Sequence, residues 1–214
     1  MDEAKNLAMQ STIADLAAWA QALAACRPEE GKARPDWQAL REKWSRIMAR
    51  DGVDLAWPHL AQYCAHLEAG TARRGLLLMG GTGTGKTYRL DFIARRFSFT
   101  RLLRADDAAR RLAGETTAAR EDILGCSYQG EDLAIDDLGA EELETVTYGQ
   151  REQPMIGAVA MRHLLWERAG RLTHISTNLS WSQLEERYGK RTVSRLRAMC
   201  NVVALDGADR RRQA

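Results

Sequence analysis

Residues 80–87, Gly80-Gly81-Thr82-Gly83-Thr84-Gly85-Lys86-Thr87, satisfy the pattern G-x-x-x-x-G-K-[ST] at every position. Glycine lets successive backbone N–H groups turn inward on an anion with no Cβ in the way. A helix that follows aims its N-terminal dipole at the same phosphates. Lys86 then reaches the β/γ-phosphates as a point charge, and Thr87 offers a hydroxyl to Mg²⁺. The motif predicts an ATP and Mg²⁺ site built from Gly80, Gly81, Thr82, Gly83, Thr84, Gly85, Lys86 and Thr87, with Tyr88 at its margin. Four fixed positions match by accident in on the order of one chain per hundred. Context argues against accident: the apolar run Leu76-Leu77-Leu78-Met79 precedes the loop, and a helical pattern runs from Lys86 to Arg96.

A phosphate loop needs a carboxylate on a neighbouring buried strand to hold the metal through water. Asp132-Leu133-Ala134-Ile135-Asp136-Asp137 supplies one about fifty residues on. Asp136 is the expected metal-side acid, and Asp137 the expected general base that polarises the attacking water. Glu141 and Glu142 are reserve candidates for the base. A later run ends in Thr177-Asn178. Asn178 either orients the water beside Asp137 or caps the helix that follows. Arg191 and Arg195 lie one helical turn apart and so point the same way. By pattern alone a solvated basic face explains them best, although a guanidinium docked on a neighbouring subunit's γ-phosphate would supply charge in trans.

Positioning these groups takes a scaffold. Apolar runs at residues 76–79, 99–103, 133–135, 172–176 and 201–205 alternate with helical stretches. Five buried strands separated by helices predict an α/β fold with a central parallel five-stranded sheet flanked by helices. Before residue 58 the chain is helical in pattern. Leu7, Ile13, Leu16, Trp19 and Leu23 share one spacing, residues 27–35 form a polar break, and Asp36 is a plausible N-cap for Trp37, Leu40, Trp44 and Ile47. Another helix is expected over residues 58–68. The predicted division is a helical N-terminal extension, 1–57, a candidate for partner binding, and an ATPase domain, 58–214. Trp19, Trp37 and Trp44 read as core or partner-contact positions.

Of 214 residues 45% are apolar and the net charge is +2, so any nucleic-acid role must come from local patches such as Arg73-Arg74, Arg95-Arg96 and Arg110-Arg111. The four cysteines are widely spaced with no CxxC pair, and the four histidines make no zinc pattern. No run approaches the roughly 20 apolar residues that span a bilayer, and the acidic start is unlike a signal peptide. A cytoplasmic protein is expected.

The order of motifs resembles the AAA+ ATPases of the DnaC-like helicase loader and IstB-like transposition helper group, over roughly residues 60–210. The residues that carry the resemblance are the phosphate loop, Ile135-Asp136-Asp137-Leu138-Gly139, Tyr148-Gly149, His174-Ile175-Ser176-Thr177-Asn178-Leu179, Tyr188-Gly189-x-Arg191-x-x-x-Arg195-Leu196 and Gly207-x-x-Arg210. The resemblance implies that Asn178 is the sensor-1 residue and that Arg195 is the arginine finger, with Arg191 close by and Arg210 matching a terminal arginine. It implies a nucleotide-dependent homo-oligomer that hydrolyses ATP between subunits, binds single-stranded DNA and places a replicative helicase there. The alternatives are a transposition helper that recruits a transposase and a nucleotide-switched adaptor with little hydrolysis. Two departures stand out. The base is Asp137 where many relatives carry Glu, which implies slow hydrolysis. The region ahead of the core is also short for the domain by which such loaders hold a helicase.

Overall fold

The computed structural model describes residues 35–53, 58–97, 100–126, 131–147 and 149–205. The helix expected within residues 1–27, together with Tyr148, Gly207 and Arg210, lies outside them. The chain divides into two compact units, residues 1–73 and 74–214.

In the first unit, α1 (Trp37–Arg50) starts where Asp36 caps it, the Asp36 carboxylate accepting from the Ala39 N–H at 3.0 Å. It packs on α2 (Pro58–Glu68) through Trp44, Met48, Leu60 and Cys64, all buried. The Trp44 indole donates to Glu68 at 2.8 Å, while Trp37 stays 38% exposed and stacks on the His66 ring. Of the three tryptophans expected at core or partner-contact positions, Trp44 is a core residue, Trp37 is half outside, and Trp19 lies outside the described residues.

The second unit begins with β1 (Gly75–Met79), continues through the glycine loop into α3 (Lys86–Arg96), and then β2 (Thr100–Arg104), α4 (Ala105–Leu112) and α5 (Thr117–Ile123). The acid strand β3 (Asp132–Asp136) follows, then a small antiparallel hairpin, β4 (Thr145–Thr147) with β5 (Gln150–Glu152). The described residues end with α6 (Pro154–Ala169), β6 (Thr173–Thr177), α7 (Trp181–Met199) and β7 (Cys200–Ala204). The five long strands form one parallel sheet in the order β2-β3-β6-β1-β7. The expected five strands and helix-flanked parallel sheet are thus present. The hairpin has no signature in the sequence strong enough to predict, since three-residue strands carry too few alternations to read.

Every residue of β1, β3 and β6 is buried because both faces of each strand are covered; β1 is apolar throughout, whereas β3 and β6 also bury polar side chains. Leu77, Met79, Leu103, Leu133, Ile135 and Ile175 share one core with α4, α5, α6 and α7. Alternate residues such as Leu76 and Leu78 project to the other face, where right-handed crossovers place α3 with its buried Leu90 and Ile93.

One feature of α7 escapes periodicity. Gly189 sits at φ 78°, ψ 158°, a region only glycine occupies readily. Arg197 stacks its guanidinium 4.4 Å from the centre of the Trp181 ring. Sixteen residues of straight helix would separate them by roughly 24 Å. The helix therefore folds back at Gly189 into two arms, residues 181–188 and 190–199.

Buried polar groups brace the sheet. Arg162 of α6 has no exposed surface and donates to Thr173 Oγ1 (2.9 Å), Leu124 O (3.1 Å), Glu131 O (2.8 Å) and Leu172 O (2.6 Å). Burial lowers its pKa, and the same desolvation, with Arg162 nearby, drives the fully buried His174 down to about 3. An unfolded His titrates near 6.5, so as pH falls below that value the unfolded chain takes up a proton that the native chain refuses. His174 alone should then remove about 1.4 kcal/mol of stability per pH unit on acidification. Asp132, raised by burial, works in the opposite sense within the carboxylate range, so the slope is cleanest at about pH 5 to 6.5. Thermal unfolding across that window, compared with His174→Gln, should show the slope reduced in the variant. Equal slopes would mean that His174 is not the group titrating.

Candidate functional site

In a parallel sheet, ligands sit at the carboxyl ends of the strands. Three strand ends meet there. Met79 is level with Thr177, and Ile135 with Ile175, so the glycine loop after β1, Asn178 after β6 and Asp137 after β3 emerge side by side. β6 lies between β1 and β3. The acid strand is therefore not the immediate neighbour of the loop strand, as the sequence reading had it, but the next one over. The inserted strand is what brings Asn178 between loop and acids.

The loop is held tightly. A Cβ at Gly80 would lie 2.2 Å from the Leu205 carbonyl oxygen, so only glycine admits the end of β7 at this point. Thr84 Oγ1 donates to Gly81 O at 2.9 Å. Arg89, buried on α3, donates through Nη1 to Thr84 O (2.9 Å) and Gly85 O (3.1 Å). Sequence reading missed Arg89; a basic residue on the inner face of the helix that begins at Lys86 was the available signal.

Lys86 is buried, and its ammonium donates to Gly80 O (2.8 Å), Gly81 O (2.7 Å) and Asn178 Oδ1 (2.7 Å). The positive charge thus stands over the loop. Thr87 Oγ1 donates to Asp136 Oδ1 at 3.1 Å, and Ser176 Oγ donates to the same oxygen at 2.5 Å. Ser176 also accepts from the Asp137 N–H at 2.9 Å. Its role was not foreseen, though a hydroxyl in the middle of an otherwise buried strand marked it. Asp137 has φ 56°, the left-handed region, which Asp tolerates better than most residues. That turn lifts its carboxylate off the sheet to within 3.5 Å of Asn178 Nδ2. Lys86, Asn178 and Asp137 form one hydrogen-bonded chain across three strands.

The helix after Asn178 is capped by Ser180, whose hydroxyl accepts from the Gln183 N–H, with Gln183 reaching back to the Ser180 N–H. The cap is therefore not Asn178, whose side chain joins Lys86 and Asp137 instead. Tyr88 is half-exposed on the first turn of α3. Glu141 is unavailable as a base. It is buried, accepts from the Gly139 N–H at 2.8 Å, and is held by Tyr188 and Arg187.

Arg191 and Arg195 do not join this cluster. They line an open cleft of about 420 Å³ with Ser194 and Ala198 of α7 and His163 and Glu167 of α6. Both point into the same space, as their spacing predicts. His163 Nδ1 and Glu167 Oε2 lie 3.4 Å apart beside them.

The donor set fits the expected ligands. Thr87 and Asp136 present hard oxygens of the kind Mg²⁺ takes, and Lys86 with the loop N–H groups presents the positive field that a polyphosphate takes. No cluster of three or more His, Cys, Asp or Glu suited to a metal occurs among the described residues, and none of their helices is long and apolar enough to cross a membrane.

No family model matches the chain, and no curated protein matches it in sequence. Solved structures do share its fold. A candidate primosome component from Streptococcus pyogenes serotype M3 aligns at 22% identity and TM-score 0.50, over 83% of this chain and 84% of that one. DnaA from Aquifex aeolicus, bound to AMPPCP, aligns at 20% identity and TM-score 0.52, over 76% of this chain and 48% of its own length. A DNA replication initiation factor aligns at 16% identity and TM-score 0.51, over 88% of this chain and 51% of that one. The chain spans about half the length of these last two. The chain therefore shares the fold of these proteins, an α/β unit with a helix-flanked parallel five-stranded sheet in the order β2-β3-β6-β1-β7 and a glycine loop after β1.

Proposed function

We propose that the chain is an ATP-dependent helicase loader for DNA replication, which hydrolyses ATP between subunits of a nucleotide-dependent homo-oligomer and binds single-stranded DNA. The observation that carries the nucleotide part is the meeting of Lys86, Thr87, Asp136, Asp137 and Asn178 at one end of the sheet. When bound, Mg²⁺ and ATP supply the scissile phosphoanhydride and its charge neutralisation. Lys86 exchanges carbonyl acceptors for phosphate oxygens. Thr87 and Asp136 hold the metal side, Asp137 accepts the proton of the attacking water, and Asn178 orients Asp137. Arg195, with Arg191 beside it, serves a neighbouring subunit, because it stands apart from the nucleotide cluster of its own chain. The replication side is favoured over a transposition helper because, of the proteins that share this fold, one is described as a DNA replication initiation factor and another as a primosome component. Residues 1–57 are assigned to holding the partner helicase.

Turnover with and without single-stranded DNA tests the reading, Asp137→Asn serving as the control. The variant should keep ATP binding and lose about 10²-fold in turnover, the scale of a lost general base. DNA binding should require nucleotide and weaken steeply with salt as phosphate contacts release counterions. Capture of a hexameric helicase rather than a transposase separates loader from transposition helper. Nucleotide binding with negligible turnover and salt-insensitive DNA binding would point instead to an adaptor.

A further inference from the structure

Four residues beyond Asp137 the chain buries a carboxylate for which the nucleotide chemistry has no use. Glu141 is 5% exposed. A buried carboxylate is costly unless its oxygens are satisfied, and here they are. One oxygen accepts from the Gly139 N–H at 2.8 Å, and the other from the Tyr188 hydroxyl, with Arg187 Nη2 at 3.6 Å. Arg187 also donates to the Glu141 carbonyl, and its Nε to the Tyr188 oxygen at 3.3 Å. Tyr188 is itself buried, and desolvation with the Glu141 charge beside it raises its pKa, so the phenol stays a neutral donor.

The placement of these partners gives the contact a direction. On one side, residues 137–141 are a single hydrogen-bonded turn. The Ala140 N–H donates to Asp137 O at 3.0 Å, and the Leu138 N–H donates to Ser176 O at 2.8 Å. On the other side, Arg187 and Tyr188 are the last residues before Gly189, the point at which α7 folds back. Beyond that point, Thr192, Val193 and Leu196 are buried, so the second arm is packed as a unit while Arg191 and Arg195 face the cleft. The stack of Arg197 on Trp181 closes the fold-back.

We propose that Glu141, Tyr188 and Arg187 are positioning residues that latch the turn carrying Asp137 to the bend at Gly189, and so set where Arg191 and Arg195 stand. A change at the acid loop of one subunit is thereby carried to the arginines it presents to the next. This rests on the reading of Arg191 and Arg195 as groups that act on a neighbour's nucleotide.

The test uses the full chain, with Tyr188→Phe and Glu141→Gln. Steady-state ATP hydrolysis should show turnover reduced about tenfold with KM within about a factor of two of wild type. Amide hydrogen exchange should quicken in residues 137–141 and 190–199 together and stay unchanged in α3. Adding Lys86→Ala protein, whose latch and arginines are intact, should raise turnover per Tyr188→Phe subunit. Wild-type turnover in both variants would overturn the proposal. So would a proportional loss of ATP binding with faster exchange throughout the domain, which is what a merely structural Tyr188 predicts. If wild type itself hydrolyses nothing, the ATPase reading fails on its own, and the exchange comparison still decides the latch. Quickening in both segments supports it, and quickening in one alone overturns it.

Discussion

Replacing Lys86 with Ala should weaken ATP binding by about 2–5 kcal/mol, roughly 30- to several-thousand-fold, the range seen when one partner of a buried charged pair is truncated. Among the described residues Lys86 is one of two cations buried against the glycine loop, and the one that also reaches Asn178. Its ammonium makes three hydrogen bonds of 2.7–2.8 Å, to Gly80 O, Gly81 O and Asn178 Oδ1. All three acceptors lose their donor in the variant, so the loop loses both its phosphate charge and its link to β6. Isothermal titration with ATP and Mg²⁺ measures the affinity, and a melting curve on the same sample shows whether the domain is still folded. A folded variant with unchanged affinity would remove Lys86 from the site and the phosphate-loop assignment with it.

The second large effect is expected at Arg195. Arginines brought to a γ-phosphate from outside contribute about 10³- to 10⁵-fold in related phosphoryl transfers. Arg195→Ala should therefore bind ATP nearly as wild type does and hydrolyse it poorly. Arg195 lines a cleft with Arg191, His163 and Glu167, away from Lys86 and the two acids. A guanidinium so placed gives charge only when a neighbour docks, which makes hydrolysis conditional on assembly. Mixing Arg195→Ala with Lys86→Ala should restore turnover, because some interfaces then pair an intact loop with an intact arginine. A mixture as inactive as its parts, with wild type keeping full activity per molecule at high dilution, would make Arg195 a structural residue of its own subunit.

The residues of the candidate site were legible because their signals are local. Gly80 to Thr87 is a continuous stretch that meets the phosphate-loop pattern position by position, and Asp136 and Asp137 follow the short apolar run of a buried strand. The same locality made the sheet strands visible as short segments between helical stretches, most plainly β1, whose five residues are all buried and carry no polar side chain. Ser176 and Arg89 were harder to read. Each is a polar residue in a buried element, and its partner, Asp136 for one and the loop carbonyls for the other, is named only by the fold.

By itself the sequence determined which groups exist and in what order: a phosphate loop, then two acids, then a polar strand end, then two arginines one turn apart. Tertiary structure alone decided which of them meet. It inserted β6 between the loop and acid strands, so that Asn178 bridges Lys86 and Asp137. It removed Glu141 from the candidate bases by burying it against Tyr188. It folded α7 back at Gly189, a bend that helical periodicity cannot report because both arms keep the same 3.6-residue spacing. The physical reason is common to all three. Periodicity and motif record what each residue does with its near neighbours, whereas strand order, burial of a charge and the reversal of a helix depend on contacts between residues dozens of positions apart.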